Sequence, residues 1–328
     1  MGIDLASQVE ERSEMIPYLI SEKKADIVFL QEVWDPLIRN RFITEFRALG
    51  YPFFATSCPF IFDTQAVPKE LRLAGGGWGH LAFSMGQAFL ANFKRAMGSG
   101  LMIFSKYPFF EKARFLNFSV NTRLDENLVT KGAIKVTVST GSMGLVDIYN
   151  AHFGAVTYHT PKKEFDFHES RRRLQQVQEF KKWFQGTRLG PSAIVACDLN
   201  VHPFLFSKGV YLNTPSTEYS LLTHPSEGLG LLDSFGTLHG LETSAGNTDV
   251  IQNPFKRQGY FSQTPDSRID YIFHSSAIES VFSEPVFNMG QHILSDHYGV
   301  LTQVEPSFQM VSQGFSNTIL NFLCNKSR

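Results

Sequence analysis

Cysteine is scarce in this chain of 328 residues: there are three, Cys58, Cys197 and Cys324. The number is odd and the spacing fits no metal motif, which argues against a disulfide framework and against a cysteine metal site. The scarcity leans weakly towards a reducing compartment. Long apolar runs are missing too. None approaches the ~20 residues that a bilayer helix needs. Met1-Gly2-Ile3-Asp4 lacks the basic stretch and apolar core of a signal peptide. A cytoplasmic or peripheral-membrane location is therefore favoured, with secretion left open. Net charge is only −1, so no global basic field draws the chain to nucleic acid. Nucleic acid is not expected as a partner, and nothing points to a partner protein. Internal repeats and Gly/Ser or charged linkers are absent, so a single domain is expected.

What is present suits an enzyme with a substantial core: 43% of residues are hydrophobic and Phe alone accounts for 31. Leu5, Val9, Ile16, Leu19 and Ile20 predict an amphipathic helix over 4–24. Asp26 to Leu30 reads as a buried strand that runs into Gln31-Glu32-Val33-Trp34. Ile38, Phe42, Phe46 and Leu49 mark a second helix, ended by Gly50. Prolines and a glycine cluster then break the pattern. Residues 64–98 read as an apolar insertion, in which Trp78 and Phe83 to Met97 form either a subcore or a lid and membrane-docking element. Leu101 to Phe104 is a strand. Ala133 to Val138 alternates as a half-exposed strand and pairs as a hairpin with Leu145 to Ala151. A helix is expected from about 164 to 185, with Arg171, Arg172 and Arg173 on a solvated face. Residues 211–268 are turn-rich. Strands close the chain at Ile269 to Phe273 and Gly299 to Val304. The catalytic unit is expected to span 1–306, with 307–328 a weakly patterned tail.

The chemistry sits at strand ends, where rigid sheet meets loop. Glu32 follows the first strand and His152 the hairpin. Asp198 and Asn200 close a third strand, Ala193 to Ala196. Positions i and i+2 share a face in extended chain, so these two can point into one pocket. Asp270 lies in a late strand, and Ser295-Asp296-His297 precedes the last. Such a set supports metal-assisted hydrolysis. A hard cation such as Mg²⁺ wants carboxylate oxygens, with Glu32 the first choice. A histidine serves as general base, its tautomer fixed by Asp270 or Asp296. A second histidine and the amide of Asn200 can hydrogen-bond a phosphoryl oxygen. Asp270 has a competing reading, an ordinary salt bridge to Arg268.

The segments Leu30-Gln31-Glu32-Val33-Trp34, Gly98-Ser99-Gly100-Leu101, Ser105-Lys106-Tyr107-Pro108, Asp198-Leu199-Asn200-Val201-His202-Pro203, Arg268-Ile269-Asp270-Tyr271 and Ser295-Asp296-His297 resemble the endonuclease/exonuclease/phosphatase superfamily. They are most similar to its neutral, Mg²⁺-dependent sphingomyelinases, from about residue 2 to 304. Lys131-Gly132, Asp166, Arg172, Gln175 and Gly246-Asn247-Thr248 also match that branch. The resemblance implies a four-layer α/β sandwich, with two packed, mostly antiparallel sheets flanked by helices. It implies that Glu32 binds Mg²⁺, or Mn²⁺ in its place, with Asp296 beside the metal or its water. His297 would be the general base, oriented by Asp270. Asp198 would position the water or assist the leaving oxygen, Asn200 and His152 would stabilise the phosphoryl oxygens, and Lys131 would add positive charge. The implied reaction is phospholipase-C-type hydrolysis of sphingomyelin at a membrane surface, giving ceramide and phosphocholine. Alternatives are another phospholipid or phosphodiester, a nuclease, or an inactive binding module. The family's first strand, with its metal-ligating Asn, falls upstream of Gly2-Ile3. A strand place left open near the middle of a sheet is therefore expected, with weak activity or a native start ~10–20 residues earlier.

Overall fold

The computed structural model describes residues 9–57, 98–122, 129–159, 162–257, 264–289 and 293–307. The apolar insertion, but for Gly98, and the tail beyond Ser307 lie outside them. So do residues 1–8.

The large sheet has six strands in the order β12 (Leu232–Asp233), β13 (Asp270–His274), β9 (Ala193–Asp198), β6 (Gly144–His152), β5 (Gly132–Thr140) and β4 (Arg114–Asn117). All its pairings are antiparallel except β6 with β9. A smaller sheet orders β1 (Ile27–Leu30), β3 (Met102–Ser105) and β2 (Phe53–Thr56). β14 (Ile278–Val286) and β15 (Gly299–Pro306) pair with each other. Two short hairpins stand apart: β7 (Tyr158–His159) with β8 (Glu164–Phe165), and β10 (Phe204–Ser207) with β11 (Val210–Pro215).

Alternation along the strands builds the layers. Met102 and Phe104 of β3 join Phe42 and Phe46 of α2 (Pro36–Ala48), while α1 (Val9–Glu22) adds Ile16 and Ile20. Leu101 and Ile103 point the other way, onto Ile134, Val136, Val146 and Ile148 of the large sheet. Tyr149, Ala151, Val195 and Phe273 leave that sheet's far face for Val177, Phe180 and Phe184 of α3 (Phe167–Thr187). Helix, sheet, sheet, helix is the four-layer α/β sandwich expected. Asp35 caps α2, accepting from Leu37 N–H at 2.7 Å, and Asp166 caps α3, accepting from Glu169 N–H at 2.9 Å.

Three expectations need correction. β5 is buried on both faces, with one exposed position, Ser139. Its polar residues mimic a solvated face but meet buried partners. Lys135 Nζ reaches Glu111 Oε1 at 2.5 Å and Asp147 Oδ1 at 2.9 Å, and Thr137 donates to Asp147 at 2.7 Å. The stretch 211–268 is more than turns: it holds β11, β12 and α4 (Thr217–Thr223), whose Tyr219 and Leu222 join the core. Arg173 is not on a solvated face. It is buried against Glu218.

β1 pairs on one side only, with β3, and β15 only with β14. Ile27 to Leu30 and Gly299 to Glu305 line one cavity of about 2010 Å³, which also borders α1 and Ile148, Ile194 and Ile272 of the large sheet. Among the described residues no strand pairs with the second edge of β1 or of β15.

Candidate active site

Strand register assembles the site. Asp270 on β13 faces Asp198 on β9, and Asp198 faces His152 on β6, which faces Gly132 on β5. Lys131 immediately precedes that glycine. Directly opposed residues share a face, so the pairing sets Asp270, Asp198 and His152 in a row across three strands.

Contacts run along the row. Thr248 Oγ1 donates to Asp270 Oδ2 at 2.6 Å, and Asp270 Oδ2 lies 3.1 Å from His297 Nδ1. Asp198 Oδ2 is 3.9 Å from the same nitrogen and 3.3 Å from His152 Nε2. His152 Nε2 lies 2.6 Å from Lys131 Nζ and 3.5 Å from Glu32 Oε1. Lys131 Nζ closes the line on Glu32 Oε1 at 3.4 Å. His152 and Lys131 are buried, whereas the Glu32 side chain is 52% exposed and opens to the cavity.

Local chain geometry fixes each member. Glu32 sits at φ 60°, a left-handed conformation that turns the chain out of β1. Val33 N–H then bonds Gly100 O at 2.9 Å. Gly100 is at φ 67°, and a Cβ there would stand 2.7 Å from Trp34 Nε1, so only glycine fits. Trp34 stacks on His152, centroids 6.3 Å apart, with Lys131 Nζ 5.4 Å from its ring centre. Beneath Glu32, Gln31 donates to Asn150 Oδ1 at 2.7 Å. The Asn150 amide in turn donates to Leu30 O and Met102 O, each at 2.9 Å. This buried amide ties the two sheets under the site. Asn200, at φ 55°, sends its backbone N–H to Asp198 Oδ1 and its amide to Phe153 O, both at 2.9 Å. Arg173 holds the Asn200 carbonyl, and its Nη2 pairs with Glu218 Oε1 at 3.1 Å.

Electrostatics differ along the row. Burial opposes a charged His297, but Asp270, Asp198 and Asp296 together outweigh it and hold its pKa well above the ordinary imidazole range. Burial raises the Asp270 carboxyl despite His297, with the Asp198 charge adding to the rise. Burial would raise Asp198 too, yet its hydrogen bond to His152 and the nearby charges bring it below the usual carboxylate range. Asp270 does not pair with Arg268. Arg268 Nη1 binds Asp233 instead, at 2.9 and 2.7 Å.

Every expected site residue borders the one cavity: Glu32, Lys131, His152, Asp198, Asn200, Asp270, Asp296 and His297. Asp198, Asp270 and His297 each offer a ligand atom within 4.8 Å of one another, the one such acid and imidazole group among the described residues. Glu32 and Asp296, expected as metal ligands, stand outside that trio. Sequence reasoning missed the roles of Thr248, Arg173 and Asn150. Thr248 carried a signal, the Gly246-Asn247-Thr248 motif. The other two gave none, because their partners are backbone carbonyls and distant side chains.

His202, next along the same loop, stacks on Tyr211 with centroids 3.7 Å apart. Burial, and then the charge of Arg268, pushes its pKa down to about 4. The unfolded chain takes up a proton near pH 6.5, which the folded one refuses. Stability therefore falls as pH drops from about 6.5 to about 4 and levels below that. The loss is ~2 kcal/mol once the ring's partial exposure is allowed for. Urea titrations across this window should show that slope, and His202→Phe should flatten it. A variant as pH-sensitive as the parent would rule the assignment out.

Opposed acids and imidazoles with a buried lysine, ranged along one sheet edge in an open cavity, are the equipment of a hydrolase acting on phosphate esters. The chain belongs to the Endonuclease/Exonuclease/phosphatase family, whose profile matches residues 6–297. Members of that family hydrolyse phosphodiester bonds and are typically dependent on divalent metals. Among solved structures, TDP2 from D. rerio complexed with single-strand DNA product superposes with a TM-score of 0.59 at 14% identity, over 90% of this chain and 92% of that one. Sphingomyelinase C from Streptomyces griseocarneus gives 0.55 at 16%, over 92% and 94%. Beta toxin from Staphylococcus aureus gives 0.56 at 16%, over 91% and 93%. At such identities the likeness is one of fold. Comparison with curated protein sequences finds no match. No helix among the described residues is long and apolar enough to cross a membrane.

Proposed function

We propose that this chain is a Mg²⁺-dependent phosphodiesterase of the phospholipase-C type. Its substrate is sphingomyelin, and its products are ceramide and phosphocholine. The observation that carries this reading is the Asp270–His297–Asp198–His152–Lys131 line, which sets one imidazole against paired carboxylates at the cavity and a second imidazole and a lysine beyond them.

The donor chemistry fits a hard cation. Glu32 and Asp296 are oxygen donors on the cavity wall, and the Glu32 carboxylate now rests against an ammonium, Lys131 Nζ. These two carboxylates would hold Mg²⁺, or Mn²⁺ in its place. When bound, the cation would polarise a phosphoryl oxygen and offset the charge of the surrounding carboxylates. The protein's own part begins with His297: once a cation's charge offsets the carboxylates that keep its ring protonated, the neutral imidazole takes the proton of the attacking water as that water's oxygen bonds phosphorus. Asp270 holds the ring by Nδ1, leaving Nε2 for that proton. The phosphorus–oxygen bond to ceramide breaks on the opposite side, where the leaving oxygen takes a proton from solvent water, and Asp198, a carboxylate beside His297, positions the attacking water. His152, Lys131 and Asn200 donate to the phosphoryl oxygens as charge builds.

Choline-headgroup release from vesicles of sphingomyelin or of phosphatidylcholine, run beside plasmid nicking, each with Mg²⁺ or chelator, tests the reading. Mg²⁺-dependent release from sphingomyelin is the expected result. Nicking without lipid turnover would overturn it, and release from phosphatidylcholine alone would reassign the substrate. A finer check uses Thr248→Val, which removes the bond that orients Asp270. Turnover should fall roughly 10-fold at unchanged KM, within the range that a misplaced general base allows. Thr248→Ser should restore it, and a Val variant of full activity would remove Thr248 from the mechanism.

A further inference from the structure

The β10–β11 hairpin belongs to neither sheet of the sandwich. Its register pairs Phe206 with Tyr211 and Ser207 with Val210. Since directly opposed residues share a face and side chains alternate, Phe206 and Tyr211 point one way. Ser207 and Val210 point the other, and Leu205 and Leu212, beside the register shift between Phe204 and Phe206, are exposed. The first face is used. Phe206 packs on Tyr158, Phe165 and Tyr211, and Tyr211 on His202. The second face is apolar yet open: Leu205 is 39% exposed, Val210 57% and Leu212 41%. A hairpin with one face on the protein and the other in water should carry polar residues outside. This one does not.

Lysines surround that face. Lys208 is exposed at the hairpin tip, and Gly209 N–H bonds Lys163 O at 3.2 Å, which brings the exposed Lys163 of the β7–β8 turn alongside. Glu164 is the acid among them. Phe167, 67% exposed and stacked by Arg171, follows β8. Leu205, Phe206 and Phe167 border the cavity that holds Asp198 and His297. Apolar side chains ringed by lysines, at the mouth of a phosphoester site, complement a surface of buried acyl chains and anionic phosphates.

We propose that the outer face of the β10–β11 hairpin, with Lys163, Lys208 and Phe167, docks the protein on an anionic phospholipid bilayer. The proposal rests on the lipid-hydrolase reading only for the reason such a surface would flank this cavity. Docking itself needs neither metal nor turnover. It also places the docking element outside the 64–98 insertion.

Co-sedimentation with phosphatidylcholine vesicles, with and without phosphatidylserine, is run in chelator so that no lipid is consumed. The full chain is expected to bind, more strongly with phosphatidylserine, and to be released by salt. Leu205→Ser/Val210→Ser/Leu212→Ser should weaken partition at least ~10-fold, given the apolar area it removes. Lys163→Gln/Lys208→Gln should weaken it roughly fivefold per lysine on anionic vesicles and leave neutral ones nearly unaffected. Unchanged melting temperature and unchanged turnover of a soluble phosphodiester would show that the variants fold. Binding by the triple variant equal to that of the parent would overturn the proposal, as would a parent that binds no vesicle. A dimer of the parent, abolished in the triple variant and unaffected by vesicles, would overturn it in favour of a second copy of the chain. Hairpin-dependent docking by a protein that fails to hydrolyse sphingomyelin would leave this proposal standing and remove the substrate assignment alone.

Discussion

His297→Ala is expected to lower turnover of a soluble phosphodiester by roughly 10³-fold, within the span that loss of a positioned general base produces. The size of the effect follows from the contacts of the ring. Its Nδ1 lies 3.1 Å from Asp270 Oδ2, and the side chain is 28% exposed, so the far edge of the ring meets the cavity. Among the described residues that line the cavity no other imidazole stands so: His152 is buried and engaged with Lys131 and Asp198, and His202 is stacked on Tyr211. The variant leaves a hole open to the cavity, and added imidazole should therefore recover part of the lost rate. Asp270→Asn should cost less than His297→Ala, because the ring remains while its orientation is lost. The decisive measurement is kcat with and without imidazole. A His297→Ala enzyme that keeps a tenth or more of parental turnover would place the base elsewhere.

The second large effect falls on stability. Arg268→Met should cost ~3–5 kcal/mol, the usual penalty for removing one partner of a buried ion pair. Arg268 is 3% exposed and Asp233 5%, and two contacts join them. Asp233 also accepts from Tyr219 Oη at 2.9 Å and from Gly236 N–H at 3.1 Å, so its carboxylate stays buried without its charge partner when the arginine goes. Adding Asp233→Asn removes that stranded charge. The double variant should therefore regain more than half of the loss, and urea midpoints measure both. A single variant within 1 kcal/mol of the parent, roughly the worth of an exposed pair, would mean that water reaches this site.

The sandwich was legible where periodicity and burial agree. β1, β6 and β9 are apolar runs that end in the site's polar residues, β3 is an apolar run between them, and α2 repeats its aromatics at helical spacing. The site was legible because catalysis needs acids and histidines where a strand ends, and Glu32, His152, Asp198 and Asp270 stand there in plain order. β5 misled because its alternating Lys135 and Thr137 look solvated, when distant Glu111 and Asp147 satisfy them. Arg173 misled for the same reason, its partner Glu218 lying far along the chain. β14 went unseen because Pro285 and the acids Glu279 and Glu284 mask its pattern, and β10–β11 because glycine and proline dominate the local signal. Register between strands leaves no trace in composition, so the Asp270–Asp198–His152 row emerged only with the sheet.

The facing edges of β1 and β15 bear on how this protein behaves at high concentration. Among the described residues nothing pairs with the second edge of either strand, and β15 runs for eight residues, Gly299–Pro306. Charged side chains or a bulge usually blunt such an edge, but β1 reads Ile-Val-Phe-Leu. A matching strand from a second molecule can zip onto either. Clouding on mild heating should consequently accelerate with protein concentration, whereas a change confined to one molecule would not. Amide protons along β1 should exchange with heavy water ahead of those in β6 and β9.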